Sequence, residues 1–456
     1  MERVDVAVIG GGVLGCFAAR HLCRWRLDTL LLEAEEDVCM GITRANSAII
    51  YSGYDNKPGS RKAQMTVAAN AGFATLCEEL AVPFKRCGSL MVAACAEAEA
   101  VLQKKWVQGR KNGVPALQLL SGAEARALEP MLADSVRAAL YAPTSGTVNP
   151  WQLGIAAFDN ARQNGCQARL NSRVKMIRRD ASGYLIETEQ GLLCARAVVN
   201  AAGIEAAKVQ ESCFAPSIRL ALDATDYLVL DRHTASPQHI LFQEGASGKG
   251  ITVVPTVEGT LLLEAPTRPL IGAHWATSRQ GLAALRTQAQ TLLPELALDK
   301  VIRSFAAVRP NPYLATKASG QLAQQSRDRG TELHDFVIAS PSQTFISLLG
   351  VKTPGLTCAD ALGCYVASRI AETLGAAENP DFDPHRHPAS EVAQDEAIVC
   401  QCEQVSKGDI LAAIASGAHT LDGVKHRTGS GMGRCQGSRC RARIEALLKE
   451  GAHGKL

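Results

Sequence analysis

Asp5-Val6-Ala7-Val8-Ile9-Gly10-Gly11-Gly12-Val13-Leu14-Gly15 stands near the start of the chain, and its reading decides the fold. Asp5 to Ile9 reads as a short buried strand, and Gly10-Gly11-Gly12 turns it. From Val13 to Arg26 apolar residues recur at helical spacing. Thr29 to Glu33 (TLLLE) is the next strand. Gly10, Gly12 and Gly15 make a G-x-G-x-x-G. The first permits a tight turn, the second lets backbone approach a pyrophosphate, and the third lets helix and sheet pack closely. The helix that follows offers free N–H groups and a positive dipole end to phosphates. Glu33 closes the second strand, where a carboxylate accepts hydrogen bonds from ribose hydroxyls and repels a 2′-phosphate. A glycine triplet alone is an ordinary turn. With strand, helix, second strand and acid in order, it predicts dinucleotide binding.

Later segments look recruited to the same ligand. Gly41-Ile42-Thr43-Arg44-Ala45-Asn46-Ser47 is a stretch of small and polar residues, and Thr43, Asn46 and Ser47 suit pyrophosphate and ribitol oxygens. Ala197 to Asn200 (AVVN) is a buried strand ended by Ala201-Ala202-Gly203. FISLLG near residue 345 leads to Pro354-Gly355-Leu356-Thr357, before a helix-like run from Ala359 to Leu374. Gly355, Leu356 and Thr357, with Val174 and Gly203, complete the candidate cofactor-binding set. Such scattered pieces favour FAD over a contiguous NAD domain. Between residues 220 and 265, YLVL, ITVVP and TLLLE are short strands broken by Gly, Asp and Pro, which predicts an antiparallel sheet.

The 456 residues allow two or three domains at about 150 residues each. Lys plus Arg number 48 against 45 Asp plus Glu, a balance that argues against a nucleic-acid or anionic-membrane coat. No apolar run is long enough to span a bilayer, and no signal-peptide pattern opens the chain. Fifteen cysteines, an odd count, do not read as a secreted disulfide framework, so the expected compartment is the cytoplasm. Residues 375–397, with three prolines and many charges, read as a linker.

Beyond it, Cys400-Gln-Cys402 and Cys435-Gln-Gly-Ser-Arg-Cys440 flank a helical stretch from Ser406 to Ser416. Cys435 sits in a glycine-rich loop whose amides can hydrogen-bond sulfur, which suits an iron–sulfur cluster. Structural zinc is the rival, although Cys-x-Cys is tight for a tetrahedral ion, and four unligated thiols is the plainest reading. Residues 398–456 hold nine Lys/Arg against five Asp/Glu. Lys425, His426, Arg427, Arg434, Arg439, Arg441 and Arg443 would offset the cluster's charge, dock an acidic partner, or form a solvated surface.

The segments VAVIGGGVLG, ITRANSAIIYSGYDNKPGSRKAQ, FKRCGSLMVA, VVNAAG, FAAVRPNP and GVKTPGLTCADALG together resemble the FAD-dependent oxidoreductases of the D-amino-acid oxidase superfamily. They are most similar to the branch holding anaerobic glycerol-3-phosphate dehydrogenase large subunits and L-2-hydroxyglutarate dehydrogenase-like proteins. The tail resembles the bacterioferritin-associated-ferredoxin-type [2Fe-2S] domain. The resemblance implies an α/β fold: a Rossmann-like FAD domain from 1–85, 146–215 and 330–378, and an inserted α+β substrate domain with an antiparallel sheet from 86–145 and 216–329. A linker at 379–397 and a [2Fe-2S] domain at 398–456 follow. The four cysteines carry over as cluster ligands.

The same resemblance marks Arg309 as the residue for the substrate anion, in keeping with its planar charged fork. Lys352 is implied near the flavin, where a positive charge would stabilise the reduced form. Its other reading is a surface-loop lysine. Tyr51 stands where the family commonly has His near the flavin. A phenol is a poor base at neutral pH, so the base lies elsewhere or substrate choice has changed. Asp223 and Glu258 stand where relatives often have basic residues, and two acids near a pocket fit an amine or zwitterion better than a phosphate. The implied function is an FAD-dependent dehydrogenase acting on glycerol 3-phosphate or a 2-hydroxy acid, with electrons passing through the cluster to a partner redox subunit. The alternatives are an amino or imino acid dehydrogenase, or a non-catalytic redox or zinc sensor.

Overall fold

A strand that must be buried on both faces has to be apolar along its whole length, and Glu2–Ile9 meets that demand from Val6 onward. The computed structural model describes residues 2–246, 248–270, 275–314, 332–387 and 395–452. Glu2–Ile9 pairs in parallel with Thr29–Leu32 on one side and Gly191–Asn200 on the other. Gln167–Arg169 and Phe345–Leu349 extend this parallel sheet outward. Antiparallel hairpins through Val174–Asp180, Gly183–Thr188 and Val337–Ser342 complete its eight strands.

Helices Val13–Leu22, Pro150–Gln163 and Ala359–Leu374 pack against one another over this sheet. Their contact is tight: a Cβ at Gly363 would lie 2.7 Å from the backbone of Phe17. Arg20, 1% exposed, ties the layer together. Its guanidinium donates to Asn160 at 3.0 Å, Glu79 at 2.8 Å and the carbonyl of Pro384 at 3.0 Å. Pro384 belongs to residues 379–387, which composition assigns to a linker. These residues lie packed along the helices instead. Asn160 donates to the carbonyls of Asp383 and His385, and Arg386 pairs with Asp159 at 2.8 Å. Their polar backbone is satisfied by helix side chains, a pairing that composition cannot reveal. Residues 388–394 lie outside the described residues.

The second sheet has nine strands and is antiparallel except where Ile240–Gly245 runs parallel to Ser89–Ala93. The long strands Ile218–Leu230 and Val301–Leu314 pair along almost their whole length, from Ile218 opposite Leu314 to Leu230 opposite Val301. Strands from before and after the first-sheet segment 146–215 thus share one sheet.

Residues 398–452 form a small unit with its own core of Val399, Val405, Ile410, Val424, Ile444 and Leu447. Its helix Leu421–Thr428 docks on the nucleotide side. Arg427 forms a buried bidentate pair with Asp37, and His426 stacks on Trp151 at 5.2 Å and 17°. Burial, the largest influence, holds the His426 imidazole down to about 4, so it is neutral in this interface. Arg232 pairs with Glu403 at a second contact. Of the seven tail residues expected to offset charge or face solvent, Arg427 and His426 are therefore interior. No helix among the described residues is long and apolar enough to cross a membrane.

A Cβ at Gly15 would fall 1.8 Å from the carbonyl oxygen of Gly10, whereas one at Gly12 meets nothing closer than Thr43 Oγ1 at 3.5 Å. Gly15→Ala should lower Tm sharply, a loss of about 3 kcal/mol or more. Gly12→Ala should keep Tm and lose flavin content, read from absorbance at constant protein. Equal Tm values for the two variants would contradict this packing.

Candidate active site

The glycine turn opens onto a cavity of about 730 Å³, within the range of small-molecule and cofactor sites. Gly10 has a φ of +99° and a Cβ there would sit 2.6 Å from the carbonyl of Ala201, so only glycine makes this turn. Gly12 caps the helix without a side chain, leaving N-terminal amides toward the cavity; Val13 N–H donates to Thr43 Oγ1 at 3.0 Å. Glu33 lines the cavity and accepts from Gly11 N–H at 2.5 Å and from Glu35 N–H at 2.9 Å. Burial raises its carboxyl above the ordinary value, against those backbone donors. Asn46 is locked by its own neighbours, donating to Thr43 O at 2.7 Å and accepting from Ala48 N–H at 2.7 Å.

The cavity brings together Gly10, Gly12, Glu33, Thr43, Asn46, Ser47, Tyr51, Val174, Gly203, Arg309, Lys352, Gly355 and Leu356. Gly15 and Thr357 lie just outside its wall. Gly15 acts through packing, and Thr357 Oγ1 accepts from the Tyr51 N–H at 3.0 Å, fixing the loop that carries the phenol. A wall of glycines without Cβ atoms, an open helix N-terminus and a carboxylate at the second strand's end fit FAD. Bare backbone would meet the pyrophosphate and Glu33 the ribose of a bound FAD.

At the far end the antiparallel sheet supplies the wall. Cross-strand pairing sets a row of directly opposed residues: Phe242, Thr252, Glu264, Tyr227 and Phe305. Tyr227 stacks on Phe305 at 4.6 Å and 3°, and Tyr51 stacks on Phe242 at 6.0 Å and 26°. Two residues along from Phe305 and Ala307, on the same face, comes Arg309, opposite Asp223. Tyr51 is half-buried in the cavity wall, and its removal from water, with Glu264 nearby, pushes its phenol far above the usual value; it stays un-ionised. Burial likewise raises the Glu264 carboxyl, against Lys249, a hydrogen bond from Tyr227, and Arg309.

Lys352 is no surface-loop lysine. Its side chain is 7% exposed, and Nζ donates to Asn311 Oδ1 at 2.6 Å and Glu332 Oε1 at 2.5 Å. Glu258 is not at the cavity: it accepts from Asn149 at 2.5 Å, and its charge is felt by Glu403 of the C-terminal unit. Glu264 stands in the cavity instead, six residues further along the chain. Glu264, Tyr227, Thr225 and Lys62 were not singled out from sequence. A charged residue closing the apolar run TLLLE was the available signal for Glu264. Lys62 is buried, and burial followed by the charges of Lys352 and Arg309 brings its ammonium down to about 8.

In the C-terminal unit the four thiols meet as two pairs, Cys402 beside Cys435 and Cys400 beside Cys440. Two pairs suit two irons, each taking two thiolates. Burial works to raise Cys435, but the backbone amides of Arg439 and Gly437 and the Cys402 and Ser438 side chains outweigh it, and the thiol falls to about 7. Donors already aimed at sulfur, in a loop where Gln436 and Gly437 take positive φ, fit a [2Fe-2S] cluster.

Residues 5–369 match the family model of FAD dependent oxidoreductases, and residues 398–450 that of the BFD-like [2Fe-2S] binding domain. The chain is 36% identical to a glycerol 3-phosphate dehydrogenase of Caloramator mitchellensis, over 98% of this chain and 94% of that protein. It is 29% identical to the mitochondrial L-2-hydroxyglutarate dehydrogenase of Pongo abelii, over 81% and 87% of the two chains. Its fold matches the FAD-bound L-alpha-glycerophosphate oxidase of Mycoplasma pneumoniae with a TM-score of 0.74 at 23% identity, covering 84% of this chain and 98% of that one. The chain thus belongs to the FAD dependent oxidoreductase family and carries a BFD-like [2Fe-2S] binding domain behind its catalytic body.

Proposed function

We propose that this protein oxidises the CH–OH group of a small anionic substrate, of the glycerol 3-phosphate or 2-hydroxy acid class, and hands the electrons to a separate redox partner. The observation that carries the reading is one continuous cavity running from the glycine turn to Arg309. The Caloramator relative, similar from end to end, supports the substrate class. FAD held by its pyrophosphate at the glycine turn would accept the hydride equivalent at the Arg309 end of the cavity, and the cluster would carry electrons onward one at a time.

The chain's own residues set the rest. Arg309 would hold the substrate anion through paired N–H donors. Tyr51, kept un-ionised by burial, would donate a hydrogen bond and orient the reacting carbon rather than take a proton. Lys62, Lys352 and Arg309 crowd one side and keep that region positive. Aromatic rings on the sheet face would exclude water. The catalytic residues are on this reading Tyr51 and Arg309, with Lys352 fixed by Glu332. The division into an FAD domain, a substrate domain and a cluster domain is supported by the two sheets and the separate C-terminal core. We place the reaction in the cytoplasm, supported by eleven further cysteines outside the cluster set that form no disulfide. A second reading, oxidation of a CH–NH bond, draws on Glu264: a carboxylate among aromatic rings also fits an ammonium.

Anaerobic mixing with glycerol 3-phosphate, L-2-hydroxyglutarate, lactate and matched amino acids should bleach the flavin bands with a hydroxy compound. Bleaching by amino acids alone would favour the second reading, and bleaching by none would overturn both. Arg309→Ala should raise KM for the bleaching substrate by about 10- to 100-fold, measured by initial rates with an artificial acceptor. An unchanged KM would remove Arg309 from the anion site.

A further inference from the structure

We infer that Glu264 is the base of the reaction, taking the proton from the substrate hydroxyl. This rests on the CH–OH reading above. Tyr51 is an un-ionised phenol that cannot accept a proton near neutral pH, and among the described residues no histidine lines the cavity. The cavity must supply the base from somewhere else. Its lining carboxyls are Glu33, Glu35, Glu205 and Glu264. Glu33 and Glu35 belong to the glycine-turn end, and Glu33 is held there by backbone donors. Glu205 lies in the turn after Gly203, with its charge paired to Lys208. Glu264 alone among them comes from the antiparallel sheet that carries Arg309.

The strand register fixes its surroundings. Glu264 lies directly opposite Tyr227 on one side and Thr252 on the other, in the row that ends at Phe242 and Phe305. Tyr51 covers Phe242. The groups facing the carboxyl are the Tyr227 hydroxyl, which hydrogen-bonds to it, the Lys249 ammonium, the Arg309 guanidinium and the Tyr51 phenol. The Arg309 charge is felt at Glu264, and both side chains line the one cavity, so a hydroxyl borne beside an anion on Arg309 would approach this carboxylate. The step balances as follows: the O–H proton passes to a Glu264 carboxylate oxygen, the C–H hydrogen leaves with its electron pair for the flavin, and the carbonyl forms. Glu264 then releases its proton to solvent. Burial raises this carboxyl above the ordinary range, which makes its ionised form a stronger base near neutral pH.

The test is the anaerobic rate of flavin bleaching against pH, with whichever hydroxy substrate of the panel bleaches the wild type. A base works deprotonated, so the wild-type rate should rise with pH through a midpoint above the usual carboxylate value. Glu264→Gln should lower the bleaching rate by about 100- to 10,000-fold and abolish that limb. Glu264→Asp should retain part of the rate and keep a limb. Binding of the ketone product, read from perturbation of the flavin bands, should change by less than about threefold in Glu264→Gln, which separates lost chemistry from lost folding. A Glu264→Gln enzyme with wild-type rate and pH profile would overturn the inference while leaving the CH–OH reading intact. So would a raised KM at unchanged maximal rate, since Glu264 would then only bind. If no hydroxy substrate bleaches the wild type, the CH–OH reading falls first and takes the inference with it.

Discussion

Everything in the molecule is placed relative to one close approach, that of helix Val13–Leu22 to the turn after strand Glu2–Ile9. At Gly15 the helix comes so near the Gly10 carbonyl that no side chain fits between them. That approach presents the helix N-terminus, uncapped at Gly12, to the cavity. It also sets the strand edge against which Thr29–Leu32 pairs, and so puts Glu33 beside Gly11. A single missing Cβ thereby positions the amides for a pyrophosphate and the carboxylate for a ribose. The helix layer above is held to it by Arg20, whose buried charge is shared among three helices and residues 379–387.

The second constraint is electrostatic and joins the two redox ends. Asp37 and Arg427 are both buried, and a pair of this kind is costly to desolvate, so it adds specificity of placement more than stability. Asp37 lies four residues before Gly41, the start of the stretch that lines the cavity through Ser47. The segment that wraps the nucleotide end is therefore the same one that seats the C-terminal unit. Trp151 reinforces this by donating to the Arg44 carbonyl at 3.0 Å while stacking on His426. The docking is thus built from groups that also shape the cavity.

The strand-turn-helix at the start was legible because it is local: a few residues at fixed spacing state both the turn and its ligand. The helix read from Ala359 to Leu374 has the same bounds in the structure, and the stretch read as helical from Ser406 to Ser416 is helix over Lys407–Ala415, with the two serines as its caps. The wall around Glu264 was not legible, because it exists only through strand register. Thr252, Glu264, Tyr227 and Phe305 are spread over 79 positions and meet because four strands pair in one alignment. Glu258, singled out from likeness to relatives, sits in the turn between Gly248–Pro255 and Leu261–Glu264 and reaches Asn149 instead. Lys352 could be placed near the flavin by motif, but its partner Glu332 could not be guessed from sequence. Arg427 looked like any surface cation of a basic tail until a buried aspartate from residue 37 was found beneath it.

The central claim is that one chain holds a two-electron centre in the cavity that runs from the glycine turn to Arg309 and a one-electron centre at four thiols. Anaerobic reductive titration of the purified protein, followed by visible absorbance and electron paramagnetic resonance, tests it most directly. The account predicts uptake of about three electrons per chain, with flavin bleaching accompanied by the resonance of a reduced [2Fe-2S] cluster. Uptake of only the flavin's share, with no iron-dependent resonance and no acid-labile sulfide, would contradict it.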